Sequence, residues 1–134
     1  MSAIVSDTHA LVWYLNNSPR LSLSAGLAFE QAQTSGELIY VPSIVIVELR
    51  YLVEKRTFSE ADYQTILAAI TSPATALAIA PLDLAVANAL AQIPRNVVSD
   101  MPDRIIAATA QALSLPLVTR DTELRKLTNI TTVW

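Results

Sequence analysis

Short apolar runs alternate with stretches of helical periodicity along the chain. Ala3-Ile4-Val5-Ser6 reads as a strand, after which Asp7 or Thr8 can cap a helix carrying Leu11, Val12 and Leu15 on one side. Ser22-x-Ser24 opens a second helix that ends at Ser35-Gly36, and Leu38 to Val41 is a strand. Pro42-Ser43 starts a long helix to about Lys55, because proline is tolerated in the first helical turn. Ser59-x-x-Asp62 resembles a capping box ahead of Tyr63, Ile66, Leu67 and Ile70. The pattern then predicts a strand over Thr75 to Ala80, a helix over Leu82 to Gln92, and a helix from Pro102 to about Leu113. A strand over Leu115 to Thr119, a short helix over Thr122 to Lys126 and a last strand over Ile130 to Val133 complete it. Strands alternating with helices through short connections imply right-handed crossovers, a mainly parallel sheet and helices on both of its faces.

Composition narrows the picture. With 134 residues the expectation is a single domain over residues 1–134, and 52% hydrophobic against 16% charged residues argues for a large core over disorder. Two glycines leave no glycine-rich phosphate cradle. The absence of cysteine excludes disulfides, thiolate zinc sites and a cysteine nucleophile. Met1 to Asp7 lack a basic n-region, and the most apolar window, Ala74 to Ile93, is interrupted by Pro81, Asp83, Asn88 and Gln92. A cytoplasmic protein without a membrane partner is therefore expected.

The carboxylates carry the candidate chemistry. In an open parallel sheet, ligands bind outside the carboxyl ends of the strands. Asp7 and Asp121 fall just past two predicted strands, where each also suits a helix cap. Glu48 interrupts Ile44-Val45-Ile46-Val47 and shares a helical face with Ile44 and Leu52, where a carboxylate is expensive unless a cation or strong donors sit beside it. Asp103 follows Pro102 at the start of a helix, where the helix dipole favours an acid in any case, and Asp100 can equally be the cap. Gathered at one point, such acids repel each other and raise their own pKa values unless a cation lies among them. Oxygen-only ligands favour Mg²⁺, with Mn²⁺ as a substitute, and suggest metal-assisted phosphodiester hydrolysis.

At these residues the chain resembles a PIN domain, and specifically the VapC-type toxin ribonucleases of bacterial toxin–antitoxin pairs. The resemblance rests on Ser6-Asp7-Thr8-His9-Ala10-Leu11-Val12-Trp13, on Ser43 to Leu49 with Glu48, on Asp100-Met101-Pro102-Asp103-Arg104 with Ile105-Ile106-Ala107-Ala108, and on Leu117-Val118-Thr119-Arg120-Asp121. It implies a three-layer α/β/α sandwich whose five-stranded sheet has the order 3-2-1-4-5. It implies Asp7, Glu48, Asp103 and Asp121 as the catalytic acids, with Asp7 and Asp103 as direct metal ligands. Thr119 matches a supporting hydroxyl, and Asp100 a commonly acidic position. The function implied is a metal-dependent endoribonuclease with RNA as substrate, a cognate antitoxin as partner and a homodimeric state.

The only histidine, His9, lies at i+2 from Asp7 and so points elsewhere on a helix, which suits a structural or substrate-side place. Ser6 and Ser43 lack a partner base. The net charge of −3 looks wrong for an RNA enzyme, yet without the four acids the chain carries one more base than acid. Arg50, Lys55, Arg56, Arg104, Arg120, Arg125 and Lys126 flank the acidic segments, and Arg104 and Arg120 are the candidates for substrate binding. A phosphoacceptor receiver fits poorly, because no second acid adjoins Asp7 and no lysine ends a last strand. A non-catalytic interaction module, with the acids as caps, is the alternative.

Overall fold

The computed structural model describes residues 3–134; Met1 and Ser2, the first positions of the segment read above for a leader, lie outside it. The chain runs β1 (Ile4–Ser6), α1 (Thr8–Leu15), α2 (Leu23–Thr34), β2 (Ile39–Pro42), α3 (Ser43–Glu54), α4 (Glu60–Thr71), β3 (Leu77–Ala80), α5 (Leu84–Ala89), α6 (Met101–Leu113), β4 (Leu117–Val118) and β5 (Thr132–Val133). All pairings are parallel and the sheet order is β3-β2-β1-β4-β5, as expected.

That order explains the layers. From β1 to β3 the chain steps one way across the sheet, and from β3 it returns past β1 to β4, so right-handed crossovers put the helices of the two halves on opposite faces. α2 packs on β1, β2 and β5, while α6 packs on β1 and β2. All three residues of β1 are buried, as a central strand covered on both sides requires. Leu11, Phe29, Ile39, Leu49, Ile106 and Leu117 fill the core. The buried stripe of α6 includes Ala107, Ala108 and Ala110, small residues that let the helix sit close to the sheet.

Side chains start most of the helices, at Asp7, Ser22, Ser59 and Asp100 as the sequence suggests and at Asp83 inside the helix expected from Leu82. Asp7, Ser22, Ser59, Asp83 and Asp100 each accept a hydrogen bond from the backbone N–H three residues on. α3 starts behind Pro42 without a side-chain cap, and the Ser43 hydroxyl accepts from Leu82 N instead, tying the end of β2 to the β3–α5 connection.

Strands β3 and β5 begin two residues later than expected, at Leu77 and Thr132, and three further boundaries differ for local reasons. The helix sought over Leu82–Gln92 begins at Leu84 and tightens into a 3₁₀ turn at Leu90–Gln92, because Pro94 forces Ile93 into an extended conformation. The helix sought over Thr122–Lys126 is a 3₁₀ turn at Leu124–Lys126, since Asp121 Oδ1 accepts from both Glu123 N and Leu124 N and holds the chain in a turn. β4 begins at Leu117 rather than Leu115, because Ser114 adopts a left-handed conformation and Leu115 N closes back on Ala110 O as a helix C-cap. Among the described residues, no helix is long and apolar enough to cross a membrane.

Candidate metal centre

The order β3-β2-β1-β4-β5 reverses direction at β1 and β4, so the connections leaving these two strands diverge and open a crevice at their carboxyl ends. Ser6 pairs with Val118, which places Asp7 and Thr119 side by side immediately past the strands. Asp7 is buried, and both its oxygens are held: Oδ1 accepts from Ala10 N at 2.9 Å, and Oδ2 from the Thr119 hydroxyl. Thr119 Oγ1 also accepts from Asp121 N at 3.0 Å, so one buried hydroxyl fixes the two strand-end acids together. Each Asp7 oxygen retains acceptor capacity beyond its single bond.

Glu48 reaches the same crevice from the second turn of α3, where Thr8 Oγ1 donates to its Oε1 at 2.7 Å. Asp103 stands in the first turn of α6, whose cap is Asp100: Asp100 Oδ2 accepts from Asp103 N at 3.1 Å. Glu48, Asp100 and Asp103 each offer an oxygen within 4.8 Å of the other two. The structure therefore sets Asp100, which the sequence suggested only as a cap or supporting acid, among the closest donors.

Electrostatics make Asp103 the hub. Burial, followed by the charges of Asp121, Asp100, Glu48 and Asp7, pushes its carboxyl up to about 7. Burial also raises Glu48, against the lowering effect of its bond from Thr8, and the charges of Asp100 and Asp7 add to the rise. Burial likewise raises Asp7, although the Thr119 and Ala10 donors oppose it. Among the described residues the ion pairs join Arg50 to Glu54 and Glu60, and none reaches this cluster. Five carboxylates with no basic group in salt-bridge contact among the described residues form an all-oxygen donor set, which is the chemistry that holds a hard divalent cation.

The acids line a cleft of about 750 Å³ together with Thr8, His9, Trp13, Tyr51 and three basic residues, Arg20, Lys55 and Arg120. Arg104, expected at the substrate, is not on these walls. Its Nε and Nη2 donate to Ile93 O at 3.2 and 2.8 Å, and Nη2 also to Leu90 O at 3.0 Å, so it clamps the end of the 3₁₀ turn to α6. Arg50 is taken up by Glu60 at 2.9 Å. Arg20, by contrast, carried no motif that marks it: it lies in the α1–α2 connection, and only the fold brings it to the cleft.

The PIN domain family model matches residues 4–130. The chain is 31% identical over 126 residues to ribonuclease VapC22 of Mycobacterium tuberculosis, a match that covers 93% of this chain and 92% of that protein. Among solved structures, VapBC2 from Rickettsia felis, crystallised bound to a DNA fragment from its promoter, superposes with a TM-score of 0.72 at 21% identity, covering 97% of this chain and 96% of that one. DNA-bound VapBC from Salmonella typhimurium gives the same TM-score and identity, with 98% and 97% covered.

Proposed function

The chain belongs to the PIN domain family, with a VapC ribonuclease among its relatives, and from that premise we propose that it is a divalent-metal-dependent endoribonuclease acting as the toxin of a cytoplasmic toxin–antitoxin pair. The observation that carries this reading is the convergence of Glu48, Asp100 and Asp103 within 4.8 Å, beside Asp7 and Asp121 and with no basic group in salt-bridge contact among the described residues. Capping explains one oxygen each of Asp7, Asp100 and Asp121. It explains nothing about Asp103, whose half-buried carboxyl is pushed up to about 7 by burial first and then by the charges of its acidic neighbours. A purely structural module gains nothing from such repulsion.

In this reading Asp7 and Asp103 hold the cation, Mg²⁺ or Mn²⁺, with Glu48, Asp100 and Asp121 around them. When bound, the ion polarises the scissile phosphate and lowers the pKa of a coordinated water. The protein's part is positional. Thr119 and Ala10 N fix the plane of Asp7, and Thr8 fixes one oxygen of Glu48 and leaves Oε2 to accept a proton from the attacking water. Arg20, Lys55 and Arg120 at the cleft walls hold flanking phosphates of the RNA.

Purified free of host nucleases, the protein should cleave RNA with Mg²⁺ or Mn²⁺ and stop on chelation, and Asp7→Asn, Glu48→Gln, Asp103→Asn and Asp121→Asn should each remove the activity while the fold persists. Full activity in Asp7→Asn and Asp103→Asn would sink the assignment. A cognate antitoxin is expected to place a basic side chain among these acids, and the active toxin is expected to be a homodimer; co-purification with the product of the neighbouring gene and light scattering test the two.

A further inference from the structure

Beside the acids, the cleft wall carries an aromatic group around Trp13. The Trp13 indole has the His9 ring 5.5 Å away between centroids with a 32° tilt, and Trp134 at 5.8 Å and 55°. The Arg120 guanidinium carbon lies 5.6 Å from the Trp13 centroid. His9 and Arg120 are exposed, Trp13 is half-buried, and all three line the same cleft as Asp7 and Asp103. An indole placed only to fill the core would be covered by apolar side chains, as Phe29 is. This one is instead edged by an imidazole and a guanidinium on the wall of an acidic cleft.

We propose that His9, Trp13 and Arg120 form a ledge on which one unpaired nucleobase of the RNA stacks beside the scissile phosphate, with Trp13 as the specificity-determining residue. The proposal rests on the nuclease reading and adds to it the state of the substrate at the cut. Unpaired bases present open π-faces to aromatic and guanidinium planes, whereas paired bases keep theirs inside the helix stack. The cleft's charge supplies a second reason. Its acids repel the polyanion, and stacking draws substrate in without needing further positive charge. Arg120 serves both ends, as a plane over the indole and as a cation for the adjacent phosphate.

The chain's two tryptophans are Trp13 and Trp134, so Trp134→Phe makes Trp13 the sole indole reporter. In that background with Asp103→Asn and chelator present, an adenine hexaribonucleotide should quench Trp13 fluorescence, while a hexamer with the same phosphates but abasic sugars should not. Trp13→Leu should weaken hexamer binding about 10-fold and Trp13→Phe should restore most of it. With the unaltered protein and Mg²⁺, one abasic nucleotide beside the cut should lower kcat/KM about 10-fold, and one placed remotely should not. This arm needs no protein variant and stands even if Trp13→Leu fails to fold. Equal quenching by the abasic hexamer, or an abasic position without effect in a protein that cleaves intact RNA, overturns the ledge and leaves the nuclease standing. Base-dependent quenching in a protein that cleaves no RNA supports the ledge and overturns the nuclease reading.

Discussion

On α3, Glu48 and Arg50 are two residues apart, and what surrounds each differs in kind. Arg50 lies at the surface, bonded to both Glu60 oxygens at 2.9 and 3.0 Å, near Glu54 at 3.6 Å and over the Tyr63 ring at 5.1 Å. Glu48 lies within 4.8 Å of Asp100 and Asp103 and feels the like charge of Asp7 as well, against which it has the Thr8 hydroxyl and the more distant His9. At Arg50 opposite charges are balanced in water, where they matter little. At Glu48 like charges are held together against their repulsion, which folding alone would select against. Charge kept at the expense of stability marks the place where something other than stability is served.

The contrast is sharpest at Asp103. Asp103→Asn keeps the volume and removes the charge at the hub, so cleavage should fall by more than about 100-fold, since the ion's Lewis-acid contribution amounts to several kcal/mol. Thermal unfolding in chelator near pH 7.5 should show the same or a higher Tm than the unaltered protein. A variant that lost both activity and Tm would mean that Asp103 supports the fold, and the two ends of the comparison would collapse into one.

Thr119 tests whether the acids are held as well as gathered. Its hydroxyl donates to Asp7 Oδ2 and accepts from Asp121 N. Thr119→Val leaves both groups short of a partner, so activity should drop about 10- to 100-fold, the usual range for groups that orient metal ligands. Stability should fall by about 1–3 kcal/mol, the penalty for buried groups left unsatisfied. Thr119→Ser should restore most of both, measured as kcat/KM and by denaturant unfolding.

Much of this was legible in the sequence. Strand–helix alternation and the acids past Ser6 and Thr119 predict the sheet and its acidic edge, because local propensity and switch-point geometry agree there. Other parts were not legible, for nonlocal reasons. Arg104 and Arg120 look alike as flanking bases, but only packing shows that Arg104 is spent on the carbonyls of Leu90 and Ile93 while Arg120 stays on the cleft wall. Arg20 and Tyr51 reach the cleft from elements whose mutual orientation no spacing encodes. Asp100 was readable as a cap, and its approach to Glu48 depends on how α6 meets α3.

The acidity of the centre also gives the comparison a sign. Asp103 binds its proton more tightly folded than unfolded, its carboxyl rising from 3.8 to about 7, and Glu48 and Asp7 shift the same way. Folding therefore takes up protons in this window: the stabilisation is complete below the ordinary carboxylate value and is lost as pH climbs through about 7. Without divalent metal, Tm should fall by about 3–6 °C between pH 5 and pH 8. Asp103→Asn should flatten that slope, and saturating Mg²⁺ should offset it at the alkaline end. A Tm rising with pH in the metal-free protein would show that the cluster is already compensated.

The smallest effect belongs to the surface pair. Arg50 holds the Glu60 carboxyl below its ordinary value, chiefly through the direct hydrogen bond, with Gln64 adding a second at 3.1 Å. A lowered carboxyl gives the opposite sign to Asp103: what stability it carries is present above the carboxylate range and is lost on acidification. Because both partners are exposed, Glu60→Gln should move Tm by only about 1 °C at neutral pH, less in high salt, and should leave RNA cleavage at the level of the unaltered protein. Arg50→Ala goes further, since its side chain also covers Tyr63, and a Tm loss larger than that of Glu60→Gln would measure this packing separately from the charge. If either variant cut activity as deeply as Asp103→Asn, the two faces of α3 would be coupled, and the division between balanced and unbalanced charge along this helix would have to be abandoned.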